Sequence, residues 1–291
     1  MQVLQAIIDG LLIGGVYSLV AIGLTLIFGV MKIVNFAHGA LLMLGMYIAY
    51  WAFTLCGLNP YLSLPVTFGL MFAVGALIQR VILQPIEEGP DHNQLLVTLG
   101  LMLILENLAL LLWSPDFRSV RIPWLLSPWS ACSLVFDRPR LLAFAFALCL
   151  AVALFAFLNR TLLGKAIRAT AQDKEGAWLI GANVRKVKYI TCGLGAACAG
   201  VAGALIAPFF YTSPIAGGAF LLRAFVIAVL GGLGSFPGAF LGGLIIGVGE
   251  SLGGLFLPGT LKELITYGIF IGILLFKPNG LLGSEAAGGG R

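Results

Sequence analysis

The sequence predicts an all-α polytopic membrane protein with roughly 8–10 transmembrane segments, some of them interrupted or re-entrant. Three observations predict it. The 291 residues are 60% hydrophobic and 10% charged, against about 25% charged in soluble domains, and the mean hydropathy is +1.04. Long uncharged runs recur along the chain, each near the ~20 residues a bilayer crossing needs. The Lys and Arg residues are unevenly spread, with seven of the 17 in residues 159–188.

The expected spans follow from the runs. Residues 10–30 carry no charge and form the first, starting nearer Leu4. The N-terminus has no basic region and places Asp9 before its apolar run, so it reads as a retained span rather than a cleaved signal peptide. Residues 37–56 and 61–79 are the second and third spans. Residues 95–113 are the fourth, interrupted only by Glu106 and Asn107. Residues 141–158 and 189–210 follow. Residues 224–249 are uncharged but broken by the Gly- and Pro-rich stretch 231–238, and 264–276 form a short last span before Lys277. The whole chain, residues 1–291, is expected to be a single transmembrane domain. The Gly-rich tail 283–291 is expected to be flexible.

Orientation follows from charge. Arg160, Lys165, Arg168, Lys174, Arg185, Lys186 and Lys188 face only Asp173 and Glu175 within 159–188. Such a loop belongs in the cytoplasm, because Lys and Arg resist translocation. Residues 114–140, with Trp113, Trp124 and Trp129 as an interfacial rim, are then external, as are 57–60; 84–93 and Lys277 are internal. Within the loop, 164–171 and 175–181 read as helical and amphipathic, which suits a docking surface for a second protein. The net charge of +5 lies mostly in this loop and implies no nucleic-acid partner; membrane lipid is the surrounding medium.

Small residues four apart (Gly238/Gly242, Gly243/Gly247, Gly249/Gly253, Ala199/Gly203) suit close helix packing within the chain or at a dimer seam. A faint internal echo joins 35–40 to 235–239, and paired interruptions point to a transport site.

No catalytic constellation emerges. Only His38 and His92 are present, the five cysteines are scattered, and no metal-ligand spacing occurs, so no metal or cofactor is expected. The nearest approach to a phosphate-binding loop, Leu163-Gly164-Lys165-Ala166, lacks its upstream Gly and following Ser or Thr, so any ATP-driven step needs another polypeptide. Asn35, Phe36, His38 and Gly39 bring polarity to an apolar setting. A helix starting at Asn35 would offer free N–H groups to a carboxylate; the competing reading is a cytoplasmic turn with Asn35 as a helix cap. His38 alone reads as a packing residue. Ser235, Phe236, Pro237 and Gly238 form the second interruption. Glu106 and Glu250 are the acids inside apolar segments, as transport groups or as anchors sharing hydrogen bonds with Asn107 and Ser251. Arg223 is expected to snorkel to the interface.

Taken together, residues 14–24 (GGVYSLVAIGL), Asn35-Phe36-Ala37-His38-Gly39 and residues 231–239 (GGLGSFPGA) resemble the branched-chain amino acid ABC permeases of the LivH type. Glu175-Gly176-Ala177, followed by Gly181, resembles the EAA loop of ABC importers, with Gly176 where Ala is usual. The resemblance covers nearly the whole chain and implies ABC importer permease architecture in a bacterial inner membrane. It implies a second, LivM-like permease subunit, two ATPase subunits docked on the cytoplasmic loops, and a periplasmic binding protein. Gly164, Lys165, Arg168, Glu175, Gly176, Ala177 and Gly181 become the ATPase-coupling residues; Asn35–Gly39 and Ser235–Gly238 line the path; 114–140 is periplasmic. Branched-chain or other hydrophobic amino acids are the expected solutes. Urea and short amides are carried by the same architecture. Remaining rivals are an ion-coupled transporter using Glu106 or Glu250 and a passive channel.

Overall fold

The computed structural model describes residues 1–87, 89–120, 122, 129–131, 134–256 and 261–283. Trp124 and most of the 283–291 tail lie outside them. Twelve α-helices and one small hairpin make up the described chain. They are α1 (Gln2–Met31), α2 (His38–Cys56), α3 (Leu64–Ile78), α4 (Gln84–Ile86), α5 (Asp91–Trp113), α6 (Arg138–Arg160), α7 (Leu162–Gln172), α8 (Lys174–Leu179), α9 (Val184–Ile206), α10 (Ala216–Gly231), α11 (Phe236–Phe256) and α12 (Lys262–Phe276). A π-turn (Gln79–Leu83) fuses α3 and α4 into one apolar helix. The hairpin pairs β1 (Trp129–Ala131) with β2 (Leu134–Phe136) antiparallel.

Seven helices are long and apolar enough to cross a membrane, and Ala216–Gly231 and Leu264–Phe276 are shorter apolar helices. The run expected at 224–249 is therefore not one span. It is the end of α10 and most of α11, joined by a turn, because Gly232 (φ 100°) and Gly234 (φ 92°) take left-handed conformations that a helix interior excludes. The third span also runs further than its apolar pattern, through the π-turn to Ile86.

α1 and α9 form the centre. Their most apolar windows are 83% and 89% buried within the chain, whereas those of α5 and α6 are 17% and 28% buried. A helix apolar on all sides is either core or lipid-facing; hydropathy alone did not separate the two cases. Glycine sets the spacing. Gly10 and Gly14 of α1 lie against the Gly247 and Gly243 carbonyls of α11, and Gly23 lies against Gly195 of α9. Gly249 and Gly253 receive Ile269 and Ile265 of α12, and Gly203 receives the Leu42 carbonyl of α2. Gly238 and Gly242 lie against the Gly231 and Ile227 carbonyls of α10, so all four small-residue pairs pack within the chain.

The arrangement is reciprocal. α3 packs on α9 as α11 packs on α1, and α2 packs on α9 as α10 packs on α1. Each central helix is followed by a non-helical return, 32–37 or 207–215, and then a helix whose first turn meets the other's at Gly39 and Gly217. The structural counterpart of 35–39 is therefore the segment before α10, not 235–239. The repeat is one of topology, which a short motif does not report.

The basic loop shares its side of the bundle with the α3–α5 connection, where Lys174 Nζ is 3.2 Å from Glu87, and with the α10–α11 turn. On the opposite side, Arg118 and Thr212 form a β-bridge, and Gln5 exchanges hydrogen bonds with Val135 at 2.6 and 3.0 Å. There too the Tyr61 hydroxyl donates to the Pro139 carbonyl at 3.2 Å. Burial first, and the Asp137 charge second, raise the Tyr61 pKa, so it stays a donor.

Candidate functional site

Local chemistry explains α7 and α8. The Thr161 hydroxyl accepts from the Gly164 amide at 3.0 Å and starts α7; Asp173 accepts from the Glu175 amide at 3.0 Å and starts α8; Asn183 does the same for Lys186 at 2.9 Å and opens α9. α7 buries Gly164, Ile167 and Thr170 and leaves Lys165 and Arg168 exposed. Gly164 is required because its neighbour is backbone: a Cβ there would lie 2.5 Å from Leu158 Cα. At Gly176 the neighbour is a side-chain end: a Cβ would come 2.5 Å from the Asp173 carboxylate that caps α8, which would have to shift to admit the Ala of the EAA pattern. Ala177 is buried, Glu175 is exposed, and Gly181 (φ 87°) ends the segment.

At the end of α8 the docking surface expected over 175–181 carries an apolar tip that the sequence reading did not single out. Trp178, Leu179 and Ile180 are 68%, 76% and 79% exposed, consecutive, on the basic side. Contiguous exposed apolar residues mark an interaction surface. The signal was available, since three large apolar residues in a row on a short helix cannot all face inward.

The residues 35–39 do not start a helix at Asn35. Its carboxamide oxygen accepts from the Ala37 amide at 3.0 Å, and its carbonyl accepts from His38 N–H at 3.2 Å. This turn delivers the chain into α2 at His38. His38 is fully buried, and its Nε2–H donates to the Val20 carbonyl at 3.0 Å. Val20 and Gly23, its other neighbour, precede the end of α1 by 11 and eight residues, so the chain has turned back by roughly 12–16 Å. Among the described side chains, Asn35 Nδ2 and His38 Nδ1 are buried without a partner, as are the hydroxyls of Thr212 and Ser213 that lead into α10. The first turns of α2 and α10 converge at Gly39 and Gly217, two partially positive helix ends. Thr212 and Ser213 carried no signal in the sequence, because their relation to 35–39 is purely tertiary. Phe36 is half-buried.

The second interruption sits elsewhere. The Ser235 hydroxyl accepts from the Gly238 amide at 3.2 Å and starts α11. The turn is backed by the chain end, with Leu281 and Leu282 amides donating to the Leu230 and Gly231 carbonyls at 2.8 and 3.1 Å. Ser235, Phe236 and Pro237 line a cavity of about 300 Å³ together with Thr25 and Gly29 of α1, Phe155 of α6, and Ile167 and Arg168 of α7. The structure therefore joins Ser235–Pro237 to Arg168 of α7, not to Asn35–Gly39.

The two intramembrane acids differ. Glu106 is half-buried on α5 and makes no hydrogen bond or ion pair among the described residues; Asn107 donates instead to Leu103 O at 2.8 Å. Glu250 of α11 holds Arg223 of α10 bidentately, Nε to Oε2 at 3.2 Å and Nη2 to Oε1 at 3.1 Å. Arg223 does not snorkel to the interface; its guanidinium lies 5.8 Å from the Tyr17 ring centroid on α1. Among the described residues no cluster of His, Cys, Asp and Glu would hold a metal.

The profile of a protein family described as "Branched-chain amino acid transport system / permease component" matches residues 6–274. The high-affinity branched-chain amino acid transport permease protein BraD of Pseudomonas aeruginosa is 35% identical, over 96% of this chain and 95% of that protein. The proteins of the corresponding description named LivH from Salmonella typhimurium and Escherichia coli K12 are each 32% identical, over 96% of this chain and 95% of theirs. No solved structure matches the chain.

Proposed function

The chain belongs to the branched-chain amino acid transport system permease family, and we propose that it is the inner-membrane permease subunit of an ABC importer for branched-chain or other hydrophobic amino acids. It is a multi-pass membrane protein with a permease role. In the proposed assembly it pairs with a second, LivM-like permease subunit. Two ATPase subunits bind its cytoplasmic face, and a periplasmic binding protein delivers the solute to the other. The observation that carries this reading is the exposed apolar tip Trp178-Leu179-Ile180 on a capped helix tied between α6 and α9.

ATP binding in the partner subunits moves α7 and α8 as a lever. Arg168 and Ile167 share a cavity with Ser235–Pro237, so the movement reaches α10 and α11, and the bundle alternates between inward- and outward-open states. The converging ends of α2 and α10, with the unpartnered groups of Asn35, His38, Thr212 and Ser213, suit a carboxylate. Pairing of Glu250 with Arg223 weighs against Glu250 as the proton site of the ion-coupled alternative. The test is co-purification of the ATPase subunits with the tagged chain. Trp178→Ala with Ile180→Ala is expected to abolish it while the chain's melting temperature holds. Wild-type yields of the complex from that variant would overturn the reading.

A further inference from the structure

A second cavity lies on the basic side, about 1070 Å³ in volume, between the π-turn of α3, α8 and the first turns of α9. Its described lining includes four cations, Arg80, Lys174, Arg185 and Lys188, and one carboxylate, Glu87. Lys174 and Lys188 both pair with Glu87. Gln84, with its amide oxygen toward Arg185, accepts from Nε at 2.9 Å and Nη2 at 3.2 Å. The remaining charge is positive and has no anion opposite it among the described residues.

Gln79 supplies the second observation. It is 1% exposed, lines this cavity, and neither its Nε2 nor its Oε1 has a hydrogen-bond partner. A buried amide left this way is destabilising, so a ligand that accepts from it would recover that loss. Gln79 also opens the π-turn (Gln79–Leu83), a geometry that recurs at functional sites.

The geometry points to a binding cavity for a phosphate group, supplied by the headgroup of an acidic phospholipid. A phosphodiester offers acceptors to the guanidinium groups and to the Gln79 amide. The lipid source follows from α3. Leu77 and Val81 are 60% and 61% exposed; their i,i+4 spacing puts them on one helix face, and Arg80 neighbours Leu77 at i+3. An acyl chain would lie along that apolar face while its phosphate enters the cavity, as in other basic pockets between membrane helices. A bound headgroup would tie α8 to α3 and α9. The inference rests on the cytoplasmic placement of residues 159–188, but the binding needs no ATPase.

The test uses the full chain alone, so its failure is separate from failure of ATPase docking. Native mass spectrometry and thermal melting are run with phosphatidylglycerol, with phosphatidylcholine, and with millimolar inorganic phosphate. Phosphatidylglycerol is expected to bind and stabilise; phosphatidylcholine is not. Arg80→Gln with Arg185→Gln is expected to weaken phosphatidylglycerol binding roughly 30-fold. Gln79→Leu is expected to weaken it without lowering the melting temperature in phosphatidylcholine, which controls for folding. Equal stabilisation by inorganic phosphate would replace the lipid with a soluble anion and overturn the lipid assignment. Equal binding of both lipids would overturn the proposal. So would unchanged phosphatidylglycerol binding in the Arg variant.

Discussion

Neutralising Glu250 alone is expected to destabilise the bundle by about 3–5 kcal/mol, the cost of breaking a buried ion pair from one side. The structure sets that scale. The Glu250 and Arg223 side chains are 8% and 16% exposed, so solvent screens the pair little, and both oxygens of the carboxylate are engaged. Glu250→Gln keeps the shape and removes the carboxylate charge that Arg223 holds bidentately. Insertion measurements for a central Arg give roughly 2.5–3.5 kcal/mol, which agrees in size. A loss of about 3 kcal/mol lowers the folding equilibrium roughly 150-fold. Replacing both residues with apolar ones of similar volume, Arg223→Met with Glu250→Leu, is expected to restore most of that loss, because no charge remains buried. The assay is reaction of a thiol-reactive fluorophore with Cys192 and Cys198, both fully buried, during denaturant unfolding in detergent, with the other cysteines replaced by Ser. A loss below about 1 kcal/mol for Glu250→Gln, the range of a solvated surface pair, would refute the reasoning. A double variant no better than the single one would refute it as well.

Three further outcomes follow from other elements. Gly45→Val is expected to prevent α2 from reaching α9, because the added Cβ would overlap the Gly200 backbone; folded yield after detergent extraction should fall severely, whereas Gly69→Val, where no atom lies within 4 Å, should leave it unchanged. Asp173→Ala removes the cap of α8 and is expected to cost about 1 kcal/mol, read as faster amide exchange confined to α8. Cysteines placed at 35 and 235 in a Cys-free complex are expected to react with an aqueous thiol reagent to an extent that changes with ATP; complete labelling indifferent to ATP would return 35–39 to a plain turn.

Much of this protein was legible locally. The loop 159–188 announced itself by charge and its helices by their amphipathic order; the caps that start them, Thr161, Asp173 and Asn183, are equally local, each a hydrogen bond between residues two or three apart. The apolar runs marked the spans because a bilayer crossing is a demand on consecutive residues. Local pattern misjudged Arg223, which reads as interfacial but finds Glu250 27 residues away across a helix turn. It also read Asn35–Gly39 and Ser235–Gly238 as partners, when the first meets Gly217 and the second meets Arg168. Which apolar helix is core and which faces outward was settled by tertiary packing too, since α1 and α5 have the same window hydropathy, 2.3, and opposite burial. Hydropathy measures what a helix can tolerate around it; close approach of glycine backbones, as at Gly10, Gly14, Gly243 and Gly247, decides which neighbour it receives.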